Sequence, residues 1–134
     1  MATPSSAEPT PQLKKLGIVP GARWDVVDAD PAWSFAVAPD PGDRSPAPSA
    51  ADVVVAFVRS AAEVAPAIDA ARPRIFPSGA VWVAWPRRAG GHVSDVTDGI
   101  VRDTALAGPL VDVKVAAIDD DWSGLKLVWR RELR

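Results

Sequence analysis

The sequence predicts a three-layer α/β domain with a mixed sheet, and three observations lead to this prediction. Segments 52–58 and 80–85 are continuously apolar, as in parallel strands that are covered on both faces. Each is followed by a segment with helical apolar spacing. Segments 111–117 and 125–129 instead alternate apolar and polar residues, which is typical of an antiparallel hairpin. Right-handed crossovers would make the first pair parallel, so a mixed sheet is expected.

The first 50 residues have the composition of turns and linkers, since they hold nine of the 14 prolines. We expect residues 1–9 to be disordered and a short helix to begin at Pro11, after the capping residue Thr10, and to end at Gly17. Segment 24–27 predicts the first strand. The proline-rich stretch 39–49 predicts a mobile surface loop.

Two helices are predicted in the second half. Residues 60–63 have the spacing of a capping box, with Ser first and Glu fourth, ahead of an apolar row. Pro66 should kink the helix that follows. A second helix is expected near 95–106, with Gly108 and Pro109 ending it.

Composition sets the domain count and excludes several classes of site. The chain has 134 residues, of which 48% are hydrophobic and 24% charged, which predicts one domain over 10–134. Because there is no cysteine, disulfides, thiolate metal sites and cysteine nucleophiles are excluded. With 15 basic and 17 acidic residues, the charge gives no reason to expect nucleic-acid binding.

No membrane or export signal is apparent. The longest apolar run covers only residues 53–58, far short of the ~20 residues that span a bilayer. Residues 1–11 contain neither a basic n-region nor an apolar h-region. We therefore expect a cytoplasmic protein that does not bind membranes.

Five short motifs resemble a known family. They are Leu13-Lys14-Lys15-Leu16-Gly17-Ile18 with Pro20-Gly21, Trp85-Pro86-Arg87-Arg88, Asp95-Val96-Thr97, Val111-Asp112-Val113-Lys114-Val115 and Asp121-Trp122-Ser123-Gly124-Leu125. Together they resemble the mostly actinobacterial family called domain of unknown function 3052, over about residues 12–131. The resemblance implies a compact Rossmann-like domain and brings no assigned activity. Segment 28–49 departs from the family, because it is longer and richer in proline.

The order of elements also resembles the second half of a class I methyltransferase-type Rossmann fold. Such enzymes place a glycine-rich turn after the first strand, where the backbone must approach a cofactor. Here that turn would be Asp28-Ala29-Asp30-Pro31, and no dinucleotide fingerprint or P-loop occurs among the nine glycines. The sequence therefore predicts no cofactor.

Polar residues that follow the predicted parallel strands form the candidate site. The carboxyl ends of such strands meet at one edge of the sheet, where α/β domains bind ligands. The sequence predicts an anion site there that consists of Arg59, Ser60, Arg87 and Arg88. A helix N-terminus at Ser60 would offer N–H groups, and the guanidinium groups would bind carboxylate or phosphate. The alternative is a solvated loop whose arginines pair with Asp95 and Asp98.

Other candidate chemistry has less support. His92 is the only histidine, and a general base there would need an orienting carboxylate, for which Asp95 is the nearest in sequence. Asp119-Asp120-Asp121 lacks the spacing of an EF-hand, so a solvated turn with a local bond from Asp121 is expected, and no metal site is predicted. The serines lack a nucleophile elbow. Trp82 and Trp85 should belong to the core.

Two functional hypotheses follow. The first is a non-catalytic binding or regulatory domain that recognises a partner protein or a small anion, since no catalytic group, metal cluster or cofactor motif can be assembled. The alternative is a small transferase-like enzyme that acts on an anionic or nucleotide substrate, with Arg87 and Arg88 as electrostatic stabilisers. The sequence favours the first and does not predict an oligomeric state.

Overall fold

The protein is described by a computed structural model that covers residues 11–134. The disordered tail predicted for residues 1–9 and the cap predicted at Thr10 lie outside the described residues.

In the described part of the chain, five strands form one mixed sheet. They are β1 (Trp24–Val27), β2 (Val53–Phe57), β3 (Ala80–Pro86), β4 (Leu110–Ala117) and β5 (Trp122–Trp129). The order across the sheet is β1-β2-β3-β5-β4. β1, β2 and β3 are parallel, whereas β5 is antiparallel to both of its neighbours. The predicted mixed sheet with its C-terminal hairpin is therefore confirmed.

Within residues 11–134, three α-helices accompany the sheet: α1 (Pro11–Leu16), α2 (Val64–Ile75) and α3 (Asp98–Leu106). The prediction that Pro66 kinks a helix is wrong, because Pro66 lies in the first turn of α2, where a backbone N–H has no partner within the helix. α3 begins three residues later than predicted. Thr97 caps it, since its Oγ1 accepts a hydrogen bond from the Ile100 N–H at 3.2 Å.

The helices create two hydrophobic layers on opposite faces of the sheet. On one face, α2 and α3 cover residues that include Val54, Val81 and Leu127. On the other face, α1 and the half-buried aromatic residues after β1 cover residues that include Phe57 and Trp82. Both faces of the central strands are therefore buried, which explains their continuously apolar sequences.

The tryptophans of β3 belong to this core, as predicted. Trp82 is fully buried and donates its indole N–H to the Leu16 carbonyl at 3.0 Å. Trp85 lies on the opposite face and is 6% exposed. Their side chains therefore belong to the hydrophobic layers on opposite faces of the sheet.

The proline-rich segment between β1 and β2 contains no α-helix and is bonded to its surroundings. It includes one 3₁₀ turn at Pro41–Asp43. The Ser45 N–H donates to the Trp24 carbonyl at 2.7 Å. The guanidinium of Arg74 in α2 donates to the carbonyls of Ser45 and Ser49, at 2.7 and 2.8 Å. A long-range network therefore holds this segment against β1 and α2, and its predicted mobility stays a prediction.

Candidate functional site

Two adjoining cavities lie at the carboxyl edge of β3. The first, of about 460 Å³, is called the arginine cavity and is lined by Trp85, Pro86, Arg87, Arg88, Ala89, His92, Ser94, Val96, Thr97, Asp98, Val115 and Ser123. The second, of about 380 Å³, is called the tryptophan cavity and is lined by Asp30, Ala32, Trp33, Arg59, Pro86, His92, Asp121 and Trp122. Pro86 and His92 line both. The predicted ligand-binding edge thus carries two compartments around one histidine.

Arg87 and Arg88 provide the available positive charge of the arginine cavity. Arg87 is half-buried and Arg88 is exposed. Within residues 11–134, neither guanidinium has a hydrogen bond or an ion pair. The backbone around them is fixed, because the Arg87 N–H donates to the Asp121 carbonyl at 2.7 Å. Their donors are therefore free to bind an anion.

Arg59 lies in the neighbouring compartment. It donates from its guanidinium to the Asp28 carbonyl at 3.0 Å, and its guanidinium carbon lies 6.0 Å from the centroid of a Trp122 ring. The positive charge of Arg59 is also one of the causes that lower the pKa of Glu63. Arg59 therefore contributes charge to the tryptophan cavity and not to the arginine cavity.

The backbone at Ser60 differs from what the sequence suggested. A 3₁₀ turn at Ala61–Glu63 precedes α2, and the N–H groups of Arg59 and Ala61 already donate to carboxylates, of Glu63 at 3.1 Å and of Asp95 at 2.8 Å. The Ser60 hydroxyl donates to the same Glu63 carboxylate at 2.9 Å. The prediction that N–H groups at this turn are available to an anion is wrong for Arg59 and Ala61, because carboxylates of the protein already accept from them.

Glu63 is strongly engaged in this turn. The hydrogen bond from the Ser60 hydroxyl, together with backbone hydrogen bonds, holds the pKa of Glu63 below its ordinary value. The carboxylate therefore stays ionised and stabilises the first turn of α2.

His92 has a carboxylate partner, although not the one that the sequence suggested. Its Nε2 lies 2.9 Å from Asp121 Oδ1, whereas Asp95 is bonded to Ala61. Sequence spacing could not reveal this pair because the two residues are 29 positions apart. The pair holds the imidazole at the boundary of the two cavities.

The acidic run after β4 forms a turn in which Asp119, and not Asp121, makes the local bonds. Asp119 Oδ1 accepts from the N–H groups of Asp121 and Trp122, at 2.8 and 2.9 Å. Its other oxygen accepts from the Trp33 indole N–H at 2.8 Å. Among residues 11–134, no group of three or more histidine or acidic residues could hold a metal ion.

The start of α3 also belongs to the site, although its sequence gave no indication of this. Thr97 and Asp98 line the arginine cavity, so the N-terminal end of a nine-residue helix adjoins Arg87 and Arg88. The Asp98 carboxylate accepts from Arg102 at 3.3 Å. Hydrogen bonds to Asp112 and Asp98 raise the pKa of Arg102, whose single positive charge is shared between the two carboxylates.

Comparisons with known proteins bear on the fold. No family model matches the chain, and no curated protein matches it. A solved structure from Streptococcus agalactiae, described as a protein in the NADB-Rossmann superfamily, is similar with a TM-score of 0.51 and 12% identity. The similarity covers 91% of this chain and 69% of that one. No helix within residues 11–134 is long and apolar enough to cross a membrane. The chain therefore has an α/β fold similar to that of a Rossmann-superfamily protein.

Proposed function

We propose that this protein is a non-catalytic binding domain that recognises a small anion in the arginine cavity. The observation that supports it is the pair of guanidinium groups, of Arg87 and Arg88, without partners among residues 11–134 at the carboxyl edge of a parallel strand. Guanidinium groups bind carboxylate and phosphate oxygens through two parallel N–H donors. Ligands of α/β sheets bind at this edge.

Two further features favour an anion over a neutral ligand. The adjoining start of α3 carries partial positive charge, because the first N–H groups of a helix have no acceptor within it. Arg59 adds a third positive charge in the neighbouring compartment. A ligand that extends past His92 would meet Arg59 there, together with the carboxylates of Asp30 and Asp121, which line the same cavity.

Thermal unfolding with inorganic phosphate at low salt tests the proposal. A ligand at tenfold its dissociation constant stabilises the folded state by about 1.4 kcal/mol, or roughly 4 °C in Tm for a domain of this size. We expect such a rise for the wild type and none for the Arg87→Glu, Arg88→Glu double variant. Low salt matters because a Debye length of ~30 Å leaves the attraction unscreened.

The matched control is the Arg23→Glu, Arg131→Glu double variant. Both residues are exposed, and neither side chain makes a hydrogen bond or ion pair among residues 11–134. It has the same net charge as the test variant, so it should respond to phosphate like the wild type. Equal responses in all three proteins would remove the anion site and leave recognition of a partner protein as the functional hypothesis.

The transferase-like alternative is favoured by one observation, the His92–Asp121 pair. A carboxylate that orients an imidazole at 2.9 Å is an arrangement that general-base catalysis uses. If the domain were such an enzyme, the wild type incubated with nucleotides and acceptor alcohols would form transfer products, and the His92→Gln variant would not. A binding domain would yield none in either protein.

A further inference from the structure

An apolar trough runs along α2 on the face of the sheet opposite α1. It has a volume of about 500 Å³ and is separate from the two cavities above. Its floor includes Val54, Ala56 and Val58, its first wall is α2, and its second wall is Ala47 with Pro48. The floor residues are only 0–3% exposed, so the apolar surface that a ligand would remove from water belongs to the walls, where Pro66, Ala70 and Pro48 are exposed.

The trough exists because the connection between β1 and β2 contains no α-helix. In parallel α/β units a helix usually packs over the two strands that it connects. Here residues 28–52 contain only short turns, so the part of the sheet beside α2 is left without that helix. Val27 at the edge is accordingly only half-buried.

The volume of the trough selects the kind of occupant. Its volume of about 500 Å³ lies within the ~300–1,000 Å³ of small-molecule sites. An elongated small molecule is therefore an occupant that the trough can enclose.

Charge at the end of the trough near the start of α2 selects the polar end of that molecule. The lining includes Asp28 and Glu63 at this end and Arg74 at the other. The Asp28 carboxylate has no partner among residues 11–134. All three nitrogens of the Arg74 guanidinium are engaged, with Asp25, Ser45 and Ser49. Arg59 lies at the same end, since its guanidinium donates to the Asp28 carbonyl at 3.0 Å, and its charge contributes to the lowered pKa of Glu63. Arg59 therefore balances the charge of Glu63, and the Asp28 carboxylate is the acceptor that remains available at this end of the trough.

We propose that this trough is a second ligand site, for an elongated aliphatic molecule with a cationic amine at the end that meets Asp28. The aliphatic body packs between the exposed side chains of α2 and those of Ala47 and Pro48, and the ammonium group donates to the Asp28 carboxylate. The charge of this ligand is opposite to that of the anion proposed for the arginine cavity. The two proposals can therefore fail independently.

Calorimetric titration with octylamine, octanol and octanoate tests the ligand class. We expect octylamine to bind about fivefold more tightly than octanoate, because a partly exposed ion pair contributes about that difference in affinity. The affinity of octanol should lie between the two. Asp28→Asn should reduce that preference about twofold, since asparagine tolerates the backbone φ of 57° at this position. Asp103→Asn, which changes an exposed aspartate on α3, should leave the preference unchanged.

A tryptophan substitution tests the location. Ala70 is exposed and lines the trough, so Ala70→Trp should fill it and weaken octylamine binding at least tenfold. Ala65 is exposed on the same helix and does not line the trough, so Ala65→Trp should stay within twofold of the wild type. Circular dichroism checks that both variants fold, and both should retain the phosphate response.

Four results would overturn the proposal. They are no octylamine binding at millimolar concentration, octanoate binding as tight as octylamine binding, equal effects of the two tryptophan variants, and a dimer in light scattering that Ala70→Trp dissociates. The last result would make a second copy of the chain the occupant of the trough.

Discussion

Replacing Arg74 by methionine should remove a large part of the folding stability. The Arg74 side chain is 6% exposed and lies 3.0 Å from the carboxylate of Asp25, which is itself 3% exposed. The same guanidinium satisfies the carbonyls of Ser45 and Ser49. Removing one partner of a buried ion pair costs about 3–5 kcal/mol, because the other charge stays buried. Arg44 compensates only in part, since its side chain is 53% exposed and 3.2 Å from Asp25.

Urea unfolding measures this cost. With a slope of about 2 kcal/mol per molar urea, a loss of ~4 kcal/mol lowers the unfolding midpoint by about 2 M. Arg72→Met is the matched control, because Arg72 lies on the same helix, is 41% exposed and is 4.0 Å from Asp69. Its effect should stay below ~1 kcal/mol.

A double-mutant cycle with Asp25→Asn isolates the pair. We expect the two substitutions to be coupled by about 1–3 kcal/mol. Equal midpoints for Arg74→Met and Arg72→Met, or independent effects in the cycle, would refute the reasoning. The wall formed by Ala47 and Pro48 would then not depend on this network for its position.

Three further predictions concern stability. Glu63→Gln should destabilise the protein near neutral pH and match the wild type in acid, because the lowered pKa of Glu63 stabilises the fold above the ordinary glutamate pKa and this contribution is lost as pH falls through the pKa of Glu63 in the folded protein. A difference in urea midpoint that stays constant across pH would contradict this prediction. Gly79→Ala should cost about 1–3 kcal/mol in the same assay, because a Cβ there lies 2.8–3.0 Å from three backbone oxygens, whereas Gly99→Ala, in α3, should be neutral or stabilising. Deleting residues 123–134 removes most of β5, which pairs with both β3 and β4, so we expect the truncated chain not to fold. A cooperative unfolding transition in that variant would instead show that the hairpin is dispensable.

Strands were predictable because their signal is local. The unbroken apolar runs of β2 and β3 reflect burial on both faces, and the alternation in β5 follows its burial, since Leu125 and Leu127 are buried. In β4 the alternation does not follow burial: Val113 and Val115 are exposed, on an edge strand whose pairing with β5 shifts register between Asp112 and Lys114. Local composition fixes these features without knowledge of the tertiary structure.

Features that depend on distant partners were not predictable. The carboxylate that occupies the Ala61 N–H comes from Asp95, and the partner of His92 comes from Asp121. No local pattern encodes those pairs. The same holds for Arg74, whose spacing on α2 gives no indication that it is buried against β1.

The candidate site was partly predictable for a topological reason. Parallel strands that end at one edge bring Arg59 and Arg87 to that edge, as argued from their sequence positions. Whether they share one cavity depends on side-chain direction. The structure places them in neighbouring compartments on either side of Pro86 and His92.

The most direct test of the proposed anion site is a phosphate titration followed by backbone amide NMR at low salt. The account predicts saturable shifts at residues 87–92 and 97–99, which surround the arginine cavity, and their loss in the Arg87→Glu, Arg88→Glu variant. No saturable shift, or shifts centred on another surface of the protein, would contradict it.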